Sequence, residues 1–505
     1  MSRLAKNIAF NLIGQGLLLV LSFAAVRYVF AGLGAEALGI IYFTATMSAV
    51  LCAALELGIC ATTVKEVAAH AENDPAYVRS LVRTASLFYW GAYAVLAVAV
   101  VCAAPWLIEK WIHTQSLDAA SATRALRVLG VAALLALPRS LCVSLLRGLQ
   151  RMEFINLIDV GTNGLQQLGM VIILASGGGL FAAVNWLALC FVLGLLAYLL
   201  VCARFFSFRA LLPGFFPAVV RHNLGFAGGM TAISILSIVH MQADKLIVSR
   251  LLPLGVLGVY AFAFGLVSRA NLLSGAIAQA GFPAFSARSQ AQEQRNCLAQ
   301  YSSLQDLVCL GTVPVYAAII FAEGPLFSFL LDPAAARVLF LPVVLLCLGF
   351  YMNGTLQVPY VASLAVGKPQ ITVRLNLYAL FIILPATALL TYRFGLAGAA
   401  SGWVGYHLFA YAYAIPQICA QCLGLRATAW YRQVFRTLAL AAGTYGVAWG
   451  VLAILGAQSI VALAAAYLLA TLAFLAGAFA LLGSDLRAVC RKSLESLGLR
   501  IVEAR

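Results

Sequence analysis

Fourteen runs of about 20 apolar residues follow one another from one end of this 505-residue chain to the other, and almost nothing else can be built from them. They fall at roughly Ile8–Phe30, Leu38–Val64, Thr84–Ile108, Val128–Leu146, Phe154–Leu174, Leu180–Cys202, Leu224–Leu251, Leu254–Phe282, Leu307–Leu331, Val338–Leu364, Ile371–Tyr392, Leu396–Leu423, Thr437–Leu455 and Ile460–Leu482. In hydrocarbon every backbone N–H and C=O must find a partner within the protein, so runs of this length become helices. The reading is an all-α polytopic membrane protein. With 63% apolar and 10% charged residues, the composition leaves no room for a soluble globular domain of ordinary size. The connections near 65–83, 109–125, 204–222 and 286–303 are too short for one.

The net charge of +15 does not point to nucleic acid, because Lys and Arg are spread over many short connections and form no patch. With the N-terminus placed in the cytoplasm, 22 basic residues fall on the inner side and 7 on the outer, so both termini are expected to be cytoplasmic. The run Ile8–Phe30 is longer than a signal-peptide core and reads as a retained first span. Twelve cysteines are scattered through apolar runs as small hydrophobes, and the C-x-x-C at Cys419 and Cys422 has no other ligands nearby. No metal site, no cofactor motif and no catalytic residues are expected, since Walker, dinucleotide and H-E-x-x-H patterns are all missing.

An internal repeat organises the spans. LGAEALGI at Leu33–Ile40 matches LPLGVLGV at Leu252–Val259, and Ser144-Leu145-x-x-Gly148 matches Ser363-Leu364-x-x-Gly367, both at a spacing of 219 residues. GLFAAVNW at Gly179 matches GLAGAASGW at Gly395 at a spacing of 216. Six spans per copy make the repeat parallel. The expected organisation is an N-lobe over 1–212, a C-lobe over 213–425, and two further helices with a tail over 426–505. The glycines at Gly395, Gly398, Gly402 and Gly405 are expected to serve close helix packing.

Ionisable groups inside spans are costly and mark function unless a partner absorbs them. Arg139, which follows Pro138, and Arg269 lie near mid-membrane, and Arg27 lies in the outer third of its span. Arginine suits a phosphate anion because its planar fork donates parallel charge-assisted hydrogen bonds. These three are the candidate contacts for an anion such as a pyrophosphate. Glu56, His240 and Asp244 are candidates for coupling or gating, with His240 and Asp244 placed four apart on one helix face. Lys245 and Arg250 are expected to snorkel to the outer interface, Asp159 and Asp306 to be solvated near the inner surface, and His407 to be a packed histidine with no partner in view. Transport without ATP hydrolysis by this chain is the reading. A cation-coupled multidrug exporter and a membrane-embedded glycan polymerase or ligase are the alternatives.

RYVFAGLGAEALGIIYF at 27–43, LELGI at 55–59, ADKLIVSRLLPLGVLGVYAF at 243–262 and VGKP at 366–369 resemble the polysaccharide transporter family of lipid-linked oligosaccharide flippases, the Wzx-type proteins. The fold of that superfamily is similar to the multidrug and toxic compound extrusion transporters. The resemblance implies a bacterial inner-membrane protein, not an enzyme. Such a protein moves an undecaprenyl-pyrophosphate-linked repeat unit from the cytoplasmic to the periplasmic leaflet by alternating access, for O-antigen, capsule or exopolysaccharide assembly. It further implies cavity roles for Arg27 and Arg269, an acidic position at Asp244, and a polysaccharide polymerase and a chain-length regulator as partners.

Overall fold

A computed structural model of the chain describes residues 3–56, 58–281, 285, 291–456, 459–483 and 487–488. Basic positions 288, 491, 492, 500 and 505 of the charge count lie outside the described residues. The described chain is helical throughout, with no named strand among the described residues. Eleven helical runs among them are long and apolar enough to cross a membrane.

Two compact units divide the chain. The first comprises Met1–Ala261 with Phe329–Leu331, and the second Phe262–Ser328 with Asp332–Arg505. In order, the helices are α1 (Arg3–Leu55), α2 (Ile59–His70), α3 (Pro75–Trp106), α4 (Ala119–Ala133), α5 (Ala136–Gly148), α6 (Met152–Ala175), α7 (Leu180–Phe206), α8 (Phe208–Leu211), α9 (Pro217–Leu251) and α10 (Leu254–Ala280). There follow α11 (Ala291–Gly311), α12 (Val313–Leu330), α13 (Pro333–Ala365), α14 (Gln370–Ile418), α15 (Ala427–Ala441), α16 (Val447–Leu455) and α17 (Ile460–Leu481).

α1 runs for 53 residues, which as one straight helix would measure about 80 Å, far more than the roughly 30 Å of hydrocarbon it has to cross. It is therefore two legs joined at a bend: Gly34 leaves helical geometry at φ 83°, ψ 175°, between the first and second predicted spans. α14, at 49 residues, repeats the device with Gly395 at φ 58°, ψ −134°. A positive φ costs glycine nothing and other residues a clash, so the sequence can turn a hydrophobic run there without polar residues. Gly395 thus makes a turn and not the helix contact expected of it, and Gly405 meets no neighbouring atom. Gly398 and Gly402 do sit at close approach, against Leu390 and Thr387 of the preceding leg.

The two copies of the repeated octapeptide touch each other. A Cβ on Gly39 would fall 2.2 Å from the Leu254 carbonyl oxygen, and one on Gly258 would fall 2.6 Å from the Gly39 nitrogen. Small residues let these backbones meet without intervening side chains, as helix association in lipid favours. The first unit buries Val82, Tyr89, Leu134, Leu145, Tyr198 and Cys202 between α3, α5 and α7. In the second, Phe350 of α13 lies 5.0 Å from Trp403 of α14 and 5.1 Å from Phe264 of α10, ring centre to ring centre.

Candidate functional site

Each charged group within an apolar run has to be asked what it touches. Arg27 is exposed on the first leg of α1; its Nη1 donates to the Phe329 carbonyl, and its guanidinium lies 3.9 Å from the centre of the Phe329 ring. Arg139 sits at the start of α5, where the chain turns between Ala133 and Ala136 just before Pro138. Its Nη2 donates to Asp159 Oδ1 at 2.5 Å across to α6. Tyr198 of α7 donates to the same oxygen at 2.6 Å, and its ring lies 5.3 Å beneath the guanidinium. Asp159 is thus not merely solvated near a surface. It is the counter-charge of Arg139, reached through tertiary packing twenty residues along the chain. Among the described residues no hydrogen bond joins Arg27 to Arg139.

Asp244 is 6% exposed and fully engaged. Oδ1 accepts the Lys245 backbone N–H at 2.8 Å and Lys245 Nζ at 3.2 Å, and Oδ2 accepts the Tyr260 hydroxyl at 2.8 Å. Lys245, expected at the outer interface, is instead 7% exposed, with Nζ also donating to the Met241 carbonyl at 2.9 Å. A carboxylate beside it makes burial cheaper than stretching to water, because the pair neutralises itself. His240 is half-buried one turn before Asp244. Arg250 is exposed, 5.8 Å from the centre of the Trp111 ring.

Glu56 is not on a continuous second span: α1 ends at Leu55, α2 begins at Ile59, and half-buried Glu56 lies in the gap. Gly58 takes a left-handed φ of 64° at the break, and only glycine fits there, because a Cβ would fall 2.2 Å from the Ala227 carbonyl oxygen of α9. Discontinuous membrane helices expose backbone dipoles and are a recurrent setting for ion sites.

In the second unit, Arg269 is exposed on α10, a helix otherwise apolar enough to cross the membrane, and forms no hydrogen bond or ion pair with another described residue. Two residues on, Asn271 Nδ2 donates to Asn353 Oδ1 at 2.7 Å, and Asn353 Nδ2 lies 2.9 Å from His407 Nε2. His407, expected to lack a partner, therefore has one. Its Nδ1 lies 2.7 Å from the Trp403 carbonyl, an acceptor only, so Nδ1 carries the proton and Nε2 accepts from Asn353.

Two acidic residues escaped the sequence reading. Glu36, 7% exposed beside the Gly34 bend, accepts the backbone N–H groups of Gln115, Ser116 and Leu117 at 2.5, 3.0 and 2.6 Å and the Ser116 hydroxyl at 3.0 Å. No local pattern announces a partner some eighty residues away. Glu323, 3% exposed on α12, has one carboxyl oxygen without a partner among the described residues and lines a cavity of about 560 Å³ with Arg337. The rule that singles out Arg269, an ionisable group in an apolar run, singles out Glu323 equally. Cys419 and Cys422 are buried in a π-helical turn, Cys419–Leu423.

The sequence model of the family described as "Polysaccharide biosynthesis protein" matches residues 4–289. A Shigella flexneri protein named for O-antigen transport is 22% identical over 402 residues, covering 79% of this chain and 93% of its own. Among solved structures, the lipid II flippase MurJ in an inward closed conformation superposes with a TM-score of 0.68 at 12% identity, over 92% of this chain and 97% of its own. An inward-facing multidrug resistance MATE family transporter of the MOP superfamily gives 0.62 at 14% identity, over 80% and 95%. At such identities the solved structures establish the fold alone, and that fold is MATE-like.

Proposed function

Because the chain belongs to the polysaccharide biosynthesis protein family, we propose that it is a transporter, not an enzyme. In this reading it carries an undecaprenyl-pyrophosphate-linked oligosaccharide repeat unit from the cytoplasmic to the periplasmic leaflet of the bacterial inner membrane. The Shigella flexneri relative supports the glycan class of cargo, and the arginines support its pyrophosphate. The observation that carries the assignment is Arg269, a guanidinium with no counter-charge among the described residues on a membrane-crossing helix. An uncompensated fork of this kind is suited to an anion that arrives from outside the protein.

Arg269 is accordingly the leading pyrophosphate contact. Arg27 retains free N–H donors beyond the one given to Phe329, whereas Arg139, a candidate from the sequence, has its charge offset by Asp159 and in this reading ties helices together. To Glu56, in the α1–α2 gap, we assign the coupling of an ion to the cycle, and to Asp244 and His240 its gating. We further propose lobes over 1–212 and 213–425, alternating access, both termini in the cytoplasm, and delivery of cargo to a polysaccharide polymerase and chain-length regulator. Deleting the gene should strand undecaprenyl-linked repeat units on the cytoplasmic side, and complementation should restore export. Normal surface polysaccharide in the deletion strain would refute the proposal.

A second reading is favoured by one observation. Glu323 is the kind of buried carboxyl that a cation-coupled drug exporter of the same fold would use. Dye efflux that vanishes in Glu323→Gln while surface polysaccharide is unaffected by deletion would select it.

A further inference from the structure

At one end of α11, α15 and α17, within the second unit, lies a cavity of about 350 Å³ that none of the proposed cargo contacts lines. Arg426, Arg432 and Arg436 form part of its wall. All three are exposed, and none is hydrogen-bonded or ion-paired to another described residue. Among the described lining residues Asp306 is the one carboxylate, 7% exposed, and both its oxygens are occupied: Gln433 Nε2 donates to Oδ1 and the Gly483 N–H donates to Oδ2 at 3.2 Å. Among the described residues, three guanidiniums without a counter-charge thus share the lining with one carboxylate whose oxygens are already taken.

The same wall holds two buried donors. Tyr301 and Trp430 are each 3% exposed, and the Tyr301 hydroxyl and the Trp430 indole N–H have no partner among the described residues. Buried donors are rarely left unpaired, because the desolvation they suffer is returned only by an acceptor. Leu425, Arg426 and Ala429, around the first turn of α15, complete this part of the lining, and no side chain caps that helix. An uncapped helix start adds free backbone donors and a positive dipole end. Cations, neutral donors and helix dipole all ask for the same thing, a multivalent oxyanion.

Location narrows the source. The crossing Ala427–Leu455 carries Arg432 and Arg436 only within its first ten residues, with Arg426 just before it, so this end lies at the membrane–water boundary. Leu298, Leu310 and Leu481 in the lining offer apolar surface beside the charges. We infer that this cavity is a phosphoryl-anion site at the membrane interface, which takes the headgroup of an anionic phospholipid or a free phosphate of the same chemistry.

The test uses the full-length chain, delipidated in detergent, with phosphatidylglycerol, phosphatidylcholine and inorganic pyrophosphate as separate probes. Bound lipid is counted by native mass spectrometry, and binding is followed by thermal stabilisation and by Trp430 emission, with Trp430→Phe as the spectral control. Phosphatidylglycerol is expected to bind at least about tenfold more tightly than phosphatidylcholine, and Arg432→Ala/Arg436→Ala to weaken it by about tenfold or more. Protection by pyrophosphate alone would assign the site to a soluble phosphate. Equal binding of the two lipids with no effect of pyrophosphate, or full binding by the double variant, would overturn the inference. Should the double variant fail to accumulate, the wild-type comparison of the three probes decides it unaided. Since none of these readouts involves transport, failure here leaves the cargo assignment standing.

Discussion

Arg139 and Arg269 look alike on paper: one lies eleven residues into its predicted span and the other fifteen, both beyond easy reach of water. In the folded chain they differ. Arg139 is clamped by Asp159 and stacked on Tyr198, whereas Arg269 meets no opposing charge among the described residues. Depth alone therefore does not separate an arginine that ties helices together from one kept for a ligand; the counter-charge does. The same distinction sorts the other buried ions. Asp244 with Lys245, and Glu36 with its three backbone N–H groups, are closed systems, while Arg269 and Glu323 are open ones.

Reversing the open charge should have the largest effect. Arg269→Glu is expected to abolish surface polysaccharide export while leaving the amount of membrane-inserted protein and its melting temperature unchanged. A melting temperature that falls in step with export would mean that Arg269 is structural after all, and would erase the contrast. Opening a closed pair should do the opposite. Lys245→Met leaves Asp244 buried without its cation and is expected to cost about 3–5 kcal/mol of stability. A variant as stable as wild type would show that the Tyr260 hydroxyl and a backbone N–H satisfy the carboxylate unaided.

The Arg139–Asp159 pair should fall between these. Both side chains are about one-third exposed, at 32% and 37%, so Arg139→Ala is expected to cost only about 1–2 kcal/mol. In Arg139→Gln/Asp159→Asn most of that loss should return, as a double-mutant cycle would report. Additive losses would mean that each residue acts alone.

The smallest effect belongs to Glu66, buried in the last turns of α2 beyond the second predicted span. Burial is the largest single influence on its carboxyl and works upward, but hydrogen bonds from Lys65 and Tyr77 and the nearby charges of Lys65 and His70 outweigh it, so the group ends below its ordinary value. Its contribution is present above the unfolded carboxylate value of about 4.3 and is lost as pH falls through the lower folded value. Glu66→Gln should flatten the acid limb of the melting-temperature profile by an amount equivalent to about 1 kcal/mol. An unaltered acid limb would show that Glu66, unlike Asp244 and Glu36, is not a closed system.

Much of the architecture is legible in the sequence because the bilayer imposes it. Apolar length gives the all-helical membrane class, with eleven runs long and apolar enough to cross among the described residues, and the octapeptide repeat marks two places that prove to be in contact through Gly39 and Gly258. Even the bends at Gly34 and Gly395 fall where the apolar pattern separates two spans. Partners are what the sequence hides. Asp159 reaches Arg139 from another helix, Asn353 reaches His407 across fifty-four residues, and Glu36 reaches a loop some eighty residues on. None of these follows from spacing along one helix. Lys245 was misplaced for a related reason: snorkelling assumes that water is the only available partner, and Asp244 is next to it.

The central claim is that the chain moves a pyrophosphate-linked glycan and that Arg269, not the Arg139–Asp159 pair, holds its anion. Reconstitution in vesicles with an undecaprenyl-pyrophosphate-linked oligosaccharide, scored by the fraction of cargo reached by a membrane-impermeant probe, tests it directly. Wild type and Arg139→Gln/Asp159→Asn are expected to flip at similar rates, and Arg269→Ala to be slower by about tenfold or more. Equal rates for wild type and Arg269→Ala, or no flipping by wild type at all, would contradict the account.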